Sequence, residues 1–489
     1  MAARRGGRRA LLLVVAAGFS AGGACSPPGA GSDGVDGGGG NGGGGGNADV
    51  DPAPSLSAQT RAALAALHYD DGPPPADPSN RVADDPAARA FGQRLFFETA
   101  LSGRLLEGDN DGSNATLGRQ GEAGRVSCAG CHVPGDGFVD TRSPHRQVSL
   151  GAQWTLRRTP TLLDVAFAPL YNWDGRRDAI WNQALGVMES NREFNSSRLF
   201  VAEQIFRNGK HRTAYEAVFG PMPPLDDASR FPALAPETTG CVEVNTTAGS
   251  KFVCHGTPGD AAEYDGMTAD DQRLVTTVAV NATKALAAYV RQLRCGAGRF
   301  DRWLDGDSGA LSPSEQRGAA LFVGRAACVS CHGGPRLTDD AFHNVGLSPA
   351  IVAVAIQDRD DRGAAAGVTA ALSDPLSSAG PFSDGDRHAL PVDLAAASLP
   401  AAASLEGAFR TPGLRCVSSH PSFMHTGQMS DLAQVMAFFD RGGDRIGGYP
   451  GTNELKVLGL DDGERADLVA FLGALSGPGP GAALLAAPQ

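Results

Sequence analysis

Cys128-Ala129-Gly130-Cys131-His132 and Cys328-Val329-Ser330-Cys331-His332 are the stretches whose residue types and spacing could do chemistry. Each is a C-x-x-C-H segment, the attachment signature of c-type haem. Two thiols one helical turn apart bond the porphyrin vinyl groups, and the adjoining imidazole reaches the iron from the proximal side. C-x-x-C also serves zinc and thiol redox chemistry. Zinc would need a second ligand pair close by, and neither copy has one. The sequence therefore implies two covalently bound haem c groups. Cys128, Cys131, Cys328 and Cys331 are the attachment thiols, and His132 and His332 are the ligands of the two irons.

The rest of the chain has to position these groups. It has 489 residues, 42% of them hydrophobic, enough for two ordinary cores. A formal charge of −12 argues against a nucleic-acid partner and leaves room for a basic protein partner. Residues 1–24 read as a signal peptide. Arg4, Arg5, Arg8 and Arg9 form its positive start, and Ala10 to Phe19 is an apolar run too short to span a bilayer. Ala21-Gly22-Gly23-Ala24-Cys25 resembles a lipoprotein cleavage box, with Gly22 where Leu is usual. Lipidation would put a diacylglyceryl group on Cys25; plain secretion is the alternative. Residues 25–55 then form a Gly-rich tether. The expected location is the periplasm, as an outer-membrane lipoprotein whose membrane contact is that anchor.

The pattern predicts a mostly α architecture of two cytochrome c-type haem domains packed against each other, with loop-rich insertions. The first domain spans 56–296, with insertions at 105–125 and 221–270; the second spans 297–476; residues 477–489 read as a disordered tail. Asp85-Pro86 opens a helix through Phe97, an N-cap followed by Pro at the first helical position. Leu56 to Leu67 predicts a short helix, Ala202 to Phe219 one helix, and Leu274 to Leu293 a long one. Ser312-Pro313 caps a helix that runs into the second haem motif. The 347–405 segment reads as loop-dominated, and no strand series is evident. Four cysteines remain after haem and lipid. In an oxidising compartment, Cys241–Cys254 and Cys295–Cys416 are the expected disulfides, the second joining the domains.

From about residue 84 to 475 the chain resembles the bacterial dihaem cytochrome c peroxidase family, including its MauG-like branch. The resemblance rests on ordered motifs beyond the haem sites. These are Phe91-Gly92-Gln93-Arg94-Leu95-Phe96-Phe97, Arg158-Thr159-Pro160, Trp173-Asp174-Gly175-Arg176, Phe409-Arg410-Thr411-Pro412, Met424-His425-Thr426-Gly427 and Arg441-Gly442-Gly443. It implies reduction of hydrogen peroxide to water at the first haem, with electrons from a small cytochrome c or cupredoxin entering at the second. By position, Glu193 matches the family's acid–base carboxylate, Gln183 its pocket amide, and Trp173 the aromatic between the haems. A MauG-like enzyme that oxidises a partner protein, and a non-catalytic electron-transfer cytochrome, are the alternatives. The assembly stays open between monomer and homodimer.

Three departures stand out. Leu150 occupies the position of the histidine that caps the first iron in classical members, with His145 nearby but off register. That implies a first haem open without reductive activation. Phe439 stands where the second haem's Met or Tyr ligand is expected. Met436 lies one turn earlier, with Met424, Met429, His343 and His425 as rivals. Finally, Arg158 replaces the Asn of the inter-haem calcium site, whose backbone carbonyls map to His420 and Ser422. A guanidinium where a cation should sit argues against calcium.

Overall fold

The helices start where capping chemistry places them. In the computed structural model the Asp85 side chain accepts from the N–H groups of Ala87 and Ala88, with Pro86 as first residue of the helix. Ser312 and Glu315 form a reciprocal capping box ahead of another. The structure describes residues 53–142, 148–246, 249–348, 361–385, 404–444 and 451–488. Cys25, the expected signal peptide at 1–24, His145 and residues 386–403 lie outside them.

Among the described residues the helices are α1 Ala58–Ala65, α2 Pro86–Phe97, α3 Cys128–Cys131, α4 Ile180–Met188, α5 Arg198–Arg207 and α6 Gly209–Phe219. They continue with α7 Ala269–Val290, α8 Arg299–Leu304, α9 Pro313–Val323, α10 Ala364–Ser373, α11 Leu432–Asp440 and α12 Asp462–Ala474. Strands are few. β1 (Gly240–Thr246) pairs antiparallel with β2 (Gly249–His255), and β3 (Phe342–His343) with β4 (Phe409–Arg410). The fold is mostly α.

Two apolar cores sit within one compact unit that begins at Asp51. In the first, α2, α4 and α5 pack on α7. In the second, α9 and α11 pack on α12. The two cores are built alike. On α2, Gly92 lies so close to α7 that a Cβ would sit 1.9 Å from the Ala285 carbonyl oxygen. On α9, a Cβ on Gly318 would sit 2.0 Å from the Asp467 carbonyl oxygen of α12. Each glycine is followed four residues on by a buried phenylalanine, Phe96 or Phe322.

The repetition is closest after the haem motifs. Residues 158–188 and 410–440 run in parallel without a gap. Arg158-Thr159-Pro160 matches Arg410-Thr411-Pro412. Asp164 and Cys416 are both left-handed (φ 56° and 58°), as are Asn172 and Met424 (both 68°). The bridge Tyr171–Arg177 recurs as Phe423–Met429. On this register Trp173 is equivalent to His425, and Ala184 to Met436.

Several expectations need correction. The 202–219 stretch is two helices, because the Asn208 side chain accepts from Lys210 and His211 and starts a new helix there. Leu64 and Leu67 of the α1 segment are buried in the second core, with the Leu67 carbonyl accepting from Arg415. Within the segment read as loop, α10 forms. Residues 477–488 are packed, not a disordered tail. Gln93 Nε2 donates to the carbonyls of Ala483 and Ala486 at 2.6 and 2.8 Å, and Gly479 N to that of Cys295 at 2.8 Å. Polar backbone there finds partners on the first core, so a Gly/Pro/Ala composition does not leave it loose.

Disulfides join Cys241 to Cys254 across β1 and β2, and Cys295 to Cys416 across the two halves.

Candidate functional site

The two C-x-x-C-H motifs fold into the same local device. His132 Nδ1 donates to the Phe138 carbonyl at 3.0 Å, and His332 Nδ1 to the Leu337 carbonyl at 3.0 Å. Both acceptor residues are left-handed, with φ 58° and 53°, which turns their carbonyls back towards the rings. A carbonyl only accepts, so each imidazole carries its proton on Nδ1 and keeps the Nε2 lone pair for a metal. Burial pushes both imidazoles below their ordinary pKa, holding them neutral and fit to ligate. Burial pushes the thiols of Cys128 and Cys131 up to about 12.

Around the first motif lies a cavity of about 400 Å³. Cys128, Cys131 and His132 line it together with Gln183, Glu193 and Trp173. Three residues singled out by the family resemblance therefore share one chamber with the attachment residues. Gln183 comes from α4, on the same face as Ala184 and Val187. Glu193 follows α4 on a tight turn, where its N–H donates to the Ser190 carbonyl at 3.2 Å and its own carbonyl accepts from Ala152 N at 2.8 Å. Burial raises the Glu193 pKa, while Arg176, Ser190 and Arg177 act against that rise. Its charge is felt at both Cys128 and Cys131. Among the described residues His132 is the one imidazole lining this chamber. Leu150 is buried, paired with Trp154, and contributes no donor side chain.

A second cavity, about 90 Å³, lies between the two halves. It is lined by equivalent pairs, including Arg158 and Arg410, Pro160 and Pro412, and Val165 and Val417. The approximate two-fold axis relating the halves therefore passes through it. Trp173, Arg158 and Arg410 line both cavities and form their common wall. The Trp173 ring is fixed there by its Nε1–H, which donates to the Arg158 carbonyl at 2.8 Å.

The chamber fits haem on its own chemistry. It is largely apolar, with two thiols and a neutral imidazole on one wall. It also holds buried guanidinium donors without protein acceptors, Nε and Nη2 of Arg158 and Nε of Arg410. Leaving such a donor unmade costs about 1–3 kcal/mol, more when charged, so these groups call for an anionic partner. A porphyrin's carboxylates would supply one.

The second motif's Cys328, Cys331 and His332 line neither cavity. Of the rival ligands near it, His343 is held on both nitrogens, Nδ1 to Glu454 at 2.7 Å and Nε2 to Asp339 at 3.0 Å. Cys331, Asp339 and His343 also form the one cluster with metal-ligand spacing among the described residues, but Cys331 belongs to the haem motif. His425 is buried and stacked on Phe409, ring centroids 3.6 Å apart. Met429 is buried in the second core, and Met424 lines the inter-half cavity. Met436 is equivalent to Ala184, which faces the first chamber. Sequence reasoning missed that Arg410 shares the wall with Arg158; the repeated Arg-Thr-Pro motif was the available signal.

Comparison with known proteins shows what the chain is similar to. The profile of a family described as di-haem cytochrome c peroxidase matches residues 86–239. The chain is 29% identical over 450 residues to cytochrome-c peroxidase IdrP1 of Denitromonas iodatirespirans, covering 86% of this chain and 91% of that protein. It is 27% identical over 388 residues to methylamine utilization protein MauG of Methylorubrum extorquens, covering 79% and 77%. Among solved structures it shares the fold of the diheme peroxidase BthA from Burkholderia thailandensis, with TM-score 0.55 at 21% identity over 81% of this chain and 87% of that one.

Proposed function

Because the chain belongs to the dihaem cytochrome c peroxidase and MauG-like family, we propose that it reduces hydrogen peroxide to water with electrons from a small redox protein. The observation that carries this reading is Glu193, a carboxylate enclosed in one chamber with His132 and Gln183. Reduction of one peroxide to two waters consumes two electrons and two protons. When bound, haem supplies the iron that exchanges those electrons. His132 presents Nε2 to that iron, with its ring held by the Phe138 carbonyl. Glu193, its pKa raised by burial, takes the proton from one peroxide oxygen and returns it to the other. Gln183 would offer its amide to a peroxide oxygen in the chamber. Trp173, in the wall between the cavities, would serve transfer from a second haem, which His332 would hold. Met436 is the proposed second ligand of that haem.

The donor is a small cytochrome c or cupredoxin. The working location is the periplasm, with Cys25 as a lipid anchor to the outer membrane. A steady-state assay with peroxide and a reduced small cytochrome tests the reading. Turnover is expected; its absence with both haems attached would count against it.

A second reading, oxidation of residues on a partner protein, is favoured by Leu150. Among the described residues no second imidazole lines the first chamber, and a site with none to displace needs no reductive activation. An oxidised spectrum that persists after peroxide, without added donor, would select this reading over the first.

A further inference from the structure

We propose that the cavity between the halves is an anion site built on Arg158 and Arg410, which takes haem carboxylates at the place where the resembled family carries calcium. The inference rests on the dihaem reading. Arg158 is 94% buried, as its 6% exposure records, and lines both cavities with Nε and Nη2 free of protein partners. Among the described residues no carboxylate acts on it, and burial brings its pKa down to about 10. Its equivalent Arg410 shares one carboxylate, Asp340, with Arg336 and leaves Nε free. His420 also faces this cavity, with Nε2 unpartnered, and burial and the Arg158 charge take its pKa down to about 3.

Such a site is wrong for calcium. That ion asks for six to eight oxygen ligands, several of them anionic, and here it would meet an uncompensated guanidinium. The same site is right for carboxylates, whose paired oxygens match the planar donor fork of arginine. Arg158 thus does the work of a resident cation. A fixed positive charge beside a haem favours its reduced form and so raises its potential. Arg158 is a positioning residue, and its side chain can be tested apart from its backbone. The main-chain bonds to the His425 carbonyl and the Trp173 indole, both 2.8 Å, survive substitution.

The test uses the full holoprotein. Thioether-haem content is measured first; fewer than two haems per chain would overturn the dihaem reading itself. Metal analysis after desalting is then expected to find no stoichiometric calcium. Optical redox titration is expected to give the same two potentials with chelator, with added calcium, and with or without phosphate. Arg158→Gln is expected to lower the potential of at least one haem, and Arg158→Lys to restore most of it. One tightly held calcium per chain, a chelator-dependent shift, or a phosphate-dependent shift would overturn the inference. So would unchanged potentials in Arg158→Gln. If Arg158→Gln does not accumulate with haem, the metal and chelator measurements on the unmodified protein decide.

Discussion

The ring of Trp173 lies beside that of His425, its equivalent in the other half, with centroids 6.3 Å apart and planes inclined by 58°. A residue meets its own counterpart only where an approximate two-fold axis passes. Phe409 stacks on His425 in turn, at 3.6 Å and 18°. The aromatic series Trp173–His425–Phe409 therefore crosses the seam between the halves, beside the cavity that holds Arg158.

Glu193→Gln is expected to lower kcat/KM for peroxide by roughly 10²–10⁴-fold while both haems stay attached. Unchanged peroxide reactivity would leave an electron-transfer cytochrome as the better description. In the unmodified protein, kcat/KM should rise with pH through a value above the ordinary glutamate pKa of about 4.3, since burial raises this group and the carboxylate is the active form.

The same raised pKa sets a stability test. The folded protein keeps the Glu193 proton at pH values where the unfolded chain has lost it. Its stabilising contribution is full below the unfolded value and is lost as pH rises through the folded one. Glu193→Gln should therefore gain melting temperature relative to the parent towards neutral pH, and not at pH 4.

Trp173→Phe keeps an aromatic in the wall but removes the indole bond to the Arg158 carbonyl. Stability should fall by about 1 kcal/mol, the usual net worth of one hydrogen bond. Rapid-mixing measurements should show slower passage of electrons from the second haem to the first. An unchanged rate would remove Trp173 from the path.

Met436→Ala should convert the second haem from low-spin to high-spin and lower its potential, since a thioether ligand raises it. Spin-resonance spectra read this directly. An unaltered second haem would point to a ligand elsewhere.

Removing Cys295–Cys416 should cost more than removing Cys241–Cys254. The bridges close separations of 121 and 13 residues, and loop-closure entropy gives about 4–5 against about 3 kcal/mol. Denaturant titration of the paired Cys→Ala variants compares them.

The sequence by itself determined the attachment chemistry. Two thiols one turn apart and an adjoining imidazole act through neighbours in the chain, so spacing alone reveals them. It also determined the helix starts at Asp85 and Ser312, because caps are local contacts. Local contacts likewise broke the helix at Asn208, where apolar spacing had suggested continuity. Only the tertiary structure decided what depends on distant partners. It enclosed Glu193 with His132 and raised its pKa, because burial is a property of the whole fold. It pinned residues 477–488 to α2 and, through the Tyr289 hydroxyl that donates to the Leu484 carbonyl, to α7, bound His343 between two carboxylates, and set Trp173 against His425. Above all it left Arg158 buried without a counter-charge among the described residues, since whether a cation has a partner is fixed by what folds around it, not by its neighbours in sequence.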